Sequence, residues 1–295
     1  MKRVIICLLC VVLLCGCAGI TNTKDTGKPT VVTTIFPLYD FARAIGGDNT
    51  HVKMLIKPGS EVHSYDPLPS DMSSVYNSDL FLYIGGESDT WVNTLLDGSA
   101  VNLLALIDSV EHTHSDHDHT HADEHIWTSP ENAILMLKKI CDSIIEIDNK
   151  NAEIYRGNCE AYIKEINKAS QQIADTVSKH QDPFMLVADR FPFVYFAEEY
   201  GIGYEAAFDG CAVSTDISFK TMLSLTETIK EREIKSVFST ELSNRSIADA
   251  LHQELGVDVL ELHSAHNVSL DDFNNGITYV DILYRNAKTL ERGIS

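Results

Sequence analysis

The chain has 295 residues, 44% of them hydrophobic, and a formal net charge of −20. The apolar share excludes global disorder, and the length predicts two domains. So negative a surface excludes nucleic-acid binding and a basic lipid-binding patch, and it favours cation capture.

Lys2 and Arg3 precede an apolar run over 4–14, followed by Leu14-Cys15-Gly16-Cys17. A charged start, a short apolar run and small residues at the cut predict a secretory signal over 1–16. The run is too short for a spanning helix. Leu14 to Cys17 resembles the bacterial lipobox, which implies cleavage before Cys17 and a lipid on its thiol. A flexible tether over 17–29 follows. The expected location is the bacterial cell envelope, with the chain lipid-anchored to the outer face of the plasma membrane or in the periplasm. Cys141, Cys159 and Cys211 remain. The first two fall on apolar stripes and read as buried thiols.

The body alternates strands with helices. Strands are predicted at 31–35, 52–56 and 80–84, and helices at 37–45, 70–76 and 90–96. Residues 108–124 are polar and without apolar period, so they read as a loop. A helix follows Pro130. A longer one over 151–179 carries Tyr155, Cys159, Tyr162, Ile166, Ala169, Ile173 and Val177 on one stripe. The alternation then resumes, with strands at 184–188, 203–208, 236–239 and 257–262. Helices are predicted at 193–200, 216–231, 246–255 and 269–290. The expected fold is α/β: two βα lobes, 30–150 and 181–295, with mostly parallel sheets. One long rigid helix at 151–180 would join them and limit their relative motion, and a metal site would lie in the interlobe cleft.

Three histidines fall just past predicted strand ends or before a helix: His63, His125 and His263. Neutral imidazoles suit zinc, copper and nickel, and one carboxylate would complete a tetrahedral shell. His112, His114, His117, His119 and His121 form an accessory tract suited to weak, redundant metal binding. No His-Glu-x-x-His, Gly-x-Ser-x-Gly or phosphate-binding Gly-rich loop occurs, so an enzyme is not expected.

Residues 32–41 (Val-Thr-Thr-Ile-Phe-Pro-Leu-Tyr-Asp-Phe), with Ile45-Gly46-Gly47-Asp48, resemble the opening of zinc/manganese-binding solute-binding proteins of ABC importers. Pro58-Gly59-Ser60-Glu61-Val62-His63 resembles their first-ligand segment, and Asp123-Glu124-His125-Ile126-Trp127-Thr128-Ser129-Pro130 their second. The His-rich insertion is similar to that of the zinc-specific branch. The resemblance covers 30–292. It implies capture of a divalent metal, Zn2+ before Mn2+, and delivery by a monomeric lipoprotein to a membrane ABC permease. Surface adhesion with a structural metal is the alternative. Two departures stand out. Arg190 occupies the family's third-ligand position, which leaves Asp189 as the expected carboxylate and Cys211 or Glu241 as alternatives. The fourth-ligand position falls on His263, with His266 three residues on. Because the ligands must be deprotonated, binding is expected to weaken as pH falls through the histidine range.

Overall fold

The computed structural model describes residues 27–94, 100–107, 111–113, 120–210 and 217–295. The signal segment, Cys17, Cys211 and His114, His117 and His119 lie outside them.

Lobe one is a parallel sheet of β1 (Thr30–Thr33), β2 (His51–Met54), β3 (Leu80–Tyr83) and β4 (Ala100–Asn102), ordered 2-1-3-4. Its helices are α1 (Phe36–Gly46), α2 (Pro69–Tyr76) and α3 (Pro130–Ile147). β4 was not legible, because three residues are too few to show a period. Of the predicted helix at 90–96, residues 90–94 form a 3-10 turn, Thr90–Thr94, and 95–96 lie outside the described residues. Residues 111–113 and 120–122, expected as loop, form an antiparallel hairpin, β5 (Glu111–Thr113) with β6 (Thr120–Ala122), which aligns His112 with His121. The β-branched Thr113 and Thr120 pair in it, and such residues favour strands.

Lobe two repeats the plan. β7 (Phe184–Phe191), β8 (Gly203–Asp209), β9 (Ser236–Ser239) and β10 (Asp258–Glu261) are parallel, in the order 10-9-7-8. Read from the other edge, this is again second-first-third-fourth, so both sheets reverse direction of growth at the same place. Its helices are α5 (Val194–Tyr200), α6 (Phe219–Glu231) and α7 (Ser246–Leu255).

Two helices tie the lobes together. The 26 residues of α4 (Ala152–Val177) span about 39 Å at 1.5 Å each. Its stripe of Tyr155, Cys159, Ile166, Ala169, Ile173 and Val177 is buried in one core that runs from Val31 to Ile294. The predicted C-terminal helix is two. α8 (Leu270–Asn274) stops at Gly276, whose φ of 74° is left-handed, and α9 (Tyr279–Gly293) restarts on a Thr278–Asp281 capping box. The start of α9 packs on lobe one, where the Tyr279 N–H donates to buried Asp40 and Arg43 donates to the Ile277 carbonyl. Its end reaches lobe two, where Ser295 and Phe184 exchange backbone hydrogen bonds. Tyr162 of α4 also donates to Asp40. Burial pushes the Asp40 carboxyl up, while Tyr162, Tyr279 and Arg43 hold it down. Cys141 and Cys159 are buried free thiols where α3 meets α4.

Candidate metal centre

Both sheets direct their carboxyl ends into one cleft, the place where open α/β sheets bind ligands. Lobe one supplies the loop after β2, with Glu61 and His63, and the segment before α3, with His125. Lobe two supplies Asp189 and Arg190 near the end of β7, Thr240 and Glu241 after β9, and the turn after β10. These residues line a cavity of about 100 Å3. The register of β7 shifts between Val187 and Arg190, a bulge that re-aims this pair into the cleft.

His63, His125 and His266 come together there, with one ring nitrogen from each lying within 4.8 Å of the others. The ring centroids are 5.0 to 5.6 Å apart. His63 is 12% exposed, and its Nδ1 lies 3.4 Å from Ser88 Oγ and 3.7 Å from Glu124. Glu124 itself accepts from the Ser88 hydroxyl and backbone N–H. His125 is fully buried, and its Nδ1 sits 3.0 Å from Asp123 Oδ1, which also accepts the His125 backbone N–H. Both imidazoles of lobe one thus rest their Nδ1 side on a carboxylate or a hydroxyl. This is the outer-shell arrangement of a metal-ligating histidine. Trp127 forms the wall behind His125 and His266, at 5.3 and 4.8 Å between centroids.

Burial, then the neighbouring His125, pushes His63 down to about 4. Burial also holds His266 well below the usual imidazole range, with His63 and His125 adding to the shift. Both rings are therefore neutral at pH 7 and offer a lone pair without first losing a proton. Gly210 closes the site. A Cβ there would lie 2.8 Å from the Phe191 carbonyl and 3.1 Å from the His125 ring, so the chain passes too close for any side chain.

The structure places His263 elsewhere. Its Nδ1 accepts the Ala265 N–H at 2.9 Å, and Asn286 of α9 clasps its backbone from both sides. The chain then turns through Ala265 at φ 62°, a left-handed residue, and this turn brings His266 to the cleft. Glu241 and Trp127 hold the turn through Ser264. Nothing in a Ser-Ala pair announces a left-handed residue, so the sequence offered no way to prefer His266 over His263.

Asp189 lines the cavity but stands outside the three-nitrogen group. Its Oδ1 accepts the Arg190 N–H at 2.8 Å and its Oδ2 the Thr240 hydroxyl at 2.9 Å. Glu241 is engaged by Ser264 through both oxygens. Arg190 reaches across the cleft to Glu61 at 3.3 Å. Ser88, Asp123 and Glu124 were missed as supports. The adjacency of two acids to His125 was a readable signal for Asp123. The contact with His63, 61 residues away, was not.

The family whose profile matches residues 31–293 is described as zinc-uptake complex component A, periplasmic. The zinc-binding lipoprotein AdcA of Streptococcus pneumoniae R6 is 28% identical over 309 residues, covering 99% of this chain and 61% of that protein. The chain thus spans less than two thirds of that relative's length. The high-affinity zinc uptake system protein ZnuA of Bacillus subtilis 168 is 29% identical, covering 96% of this chain and 94% of that one. Among solved structures, the Zn(II)-bound ZnuA-like domain of Streptococcus pneumoniae AdcA superposes with a TM-score of 0.76 at 26% identity. That match covers 90% of this chain and 99% of the domain. Among the described residues, no helix is long and apolar enough to cross a membrane.

Proposed function

The chain belongs to the ZnuA family of zinc-uptake components, and from that premise we propose that it captures one Zn2+ ion in the interlobe cleft and delivers it to a membrane ABC permease. The observation that carries the reading is the convergence of His63, His125 and His266 from both lobes on one point. Three neutral imidazoles favour zinc over manganese, which prefers more carboxylate. Lobe one holds two of the ligands on fixed supports, and lobe two brings the third on the Ser264–Ala265 turn. The ion then bridges the lobes. The relatives named as lipoproteins support an anchor at Cys17 and a place in the cell envelope. The His-rich tract around the β5–β6 hairpin raises local metal concentration without forming the tight site.

Zinc titration of the chain from residue 18 tests this, run beside a deletion of 112–121 and a His63→Ala, His125→Ala double variant. One tight site should survive the deletion and vanish in the double variant. Tight binding that leaves with the tract alone would overturn the assignment to the cleft.

A further inference from the structure

We propose that Cys141 and Cys159 become joined by a disulfide outside the cytoplasm, a covalent staple between α3 of lobe one and the interlobe helix α4. The inference stands apart from the metal cleft and rests on the envelope placement given above.

α3 and α4 pack on each other as a helical hairpin, joined through the 3-10 turn Asn149–Asn151. Cys141 lies about two turns before α3 ends at Ile147, and Cys159 about two turns after α4 begins at Ala152. Positions at equal height on the two arms of such a hairpin face each other. The Cys159 Sγ lies 3.9 Å from the carbonyl oxygen of Leu137, which stands one turn before Cys141 on the same face of α3. The two thiols also hydrogen-bond each other. Both belong to the main apolar core, at 5% and 4% exposure.

A single buried cysteine packs as a small hydrophobe. Two whose sulfurs meet across a helix pair add a chemistry that packing does not require. In the oxidising space outside a bacterial membrane such a pair forms a disulfide that persists. The oxidant is itself a disulfide, carried by a thiol–disulfide oxidoreductase or a small molecule. The thiolate of one cysteine attacks it and expels one thiolate, and the second cysteine then attacks the mixed disulfide and expels the other. The pair gives up two electrons and two protons, and the oxidant leaves as two thiols. Burial closes the pair to reagents once the chain has folded, so the exchange belongs to folding, before α3 and α4 pack. The bond closes a loop over 142–158 and restricts the unfolded chain without touching the cleft. Because α3 begins at Pro130, just after the His125 segment, the staple also fixes the lobe-one half-site to the helix that carries both lobes.

The full chain, purified in mild detergent, is unfolded, refolded in a mixture of reduced and oxidised glutathione, and digested without reduction. Mass spectrometry should find a cross-linked peptide joining Cys141 to Cys159. Reduction should lower the melting temperature of the metal-free protein by about 5 to 10 °C. A Cys141→Ala, Cys159→Ala variant should lose that difference while binding zinc within about twofold of the parent, since the pair lies outside the cleft. Two free thiols after refolding would overturn the proposal. So would a bond to Cys211 that Cys211→Ser removes, or a bond whose reduction leaves the melting temperature unchanged. The envelope placement is tested separately, on chain taken directly from cells with its thiols trapped by alkylation. Alkylated Cys141 and Cys159 there, in a chain that pairs them on refolding, would overturn the oxidising location and leave the pairing standing.

Discussion

The two lobes share one strand order and supply the same cleft, yet they do so by different chemistry. Lobe one offers two imidazoles, each backed on its Nδ1 side by a carboxylate or by a hydroxyl that a carboxylate holds. Lobe two offers one imidazole and surrounds it with charged groups bonded mainly to their own lobe. Lobe one is thus a prebuilt half-site. Lobe two positions its single clustered imidazole through backbone geometry, by a left-handed turn held at Ser264 and Asn286. The same topology therefore fixes where ligands must come from, but not how they are held.

Breaking either half-site should have the largest effect. Structural zinc sites bind with about 10–16 kcal/mol shared over four ligands, so one ligand accounts for roughly 3 kcal/mol, or about 100-fold in affinity. His125→Ala and His266→Ala should each weaken zinc binding by at least that much, as measured by competition with a chelator of known affinity. Equal losses would mean that both lobes grip the ion. A His266→Ala variant that binds as the parent does would remove lobe two from the site.

The supports of lobe one come next. Outer-shell partners typically contribute 10–100-fold. Asp123→Asn, beside His125 at 3.0 Å, should fall in the upper part of that range. Glu124→Gln, 3.7 Å from His63, should fall near the lower end. The reverse order would show that the longer contact is the one that shortens on binding.

His263→Ala sharpens the contrast inside lobe two. His263 accepts the Ala265 N–H, and so it shapes the turn that aims His266. Its loss should cost less than tenfold in affinity, because the Asn286 clasp and the Glu241–Ser264 contacts use the backbone and Ser264 and remain. A loss as large as that of His266→Ala would return His263 to the metal shell.

How much of this was legible follows from the same contrast. The alternation of strands and helices, the α4 stripe and the two lobe-one histidines were readable, because apolar period and short motifs are local properties. The 3-10 turn at Thr90–Thr94 and the break at Gly276 were misread as helix, since both lie in segments whose apolar spacing continues through them. The place of His266 beside the other two rings depends on φ at Ala265, and Asp189 stands outside that group, accepting from Thr240, 51 residues away. Backbone handedness at an alanine and a contact between distant strands leave no trace in residue type. Proximity of three histidines to strand ends could place the site but could not choose the donors.

The smallest expected effect on affinity is that of pH, and it departs from the expectation for ordinary histidines. In the folded protein His63 takes its proton only near pH 4, because burial disfavours the charged ring, and His266 is held lower than usual by the same cause. A metal arriving at pH 7 or 5 therefore meets neutral rings in both, with no proton to displace from either. Measured with a pH-insensitive competitor, the part of the zinc affinity that rests on His63 and His266 should stay nearly level from pH 7.5 to 5 and fall below that. A tenfold loss per pH unit beginning near 6.5 would show that these rings titrate as exposed ones do. The metal-free protein carries the cost instead. Its unfolded chain protonates His63 near 6.5 and the folded chain near 4, so the unfolded state binds more protons across that window. Stability must then fall as pH drops from about 6.5 to about 4, by about 3 kcal/mol for His63. Thermal melts of the metal-free chain over this range check the sign: His63→Ala should flatten the slope, and an unchanged slope would assign it to other groups.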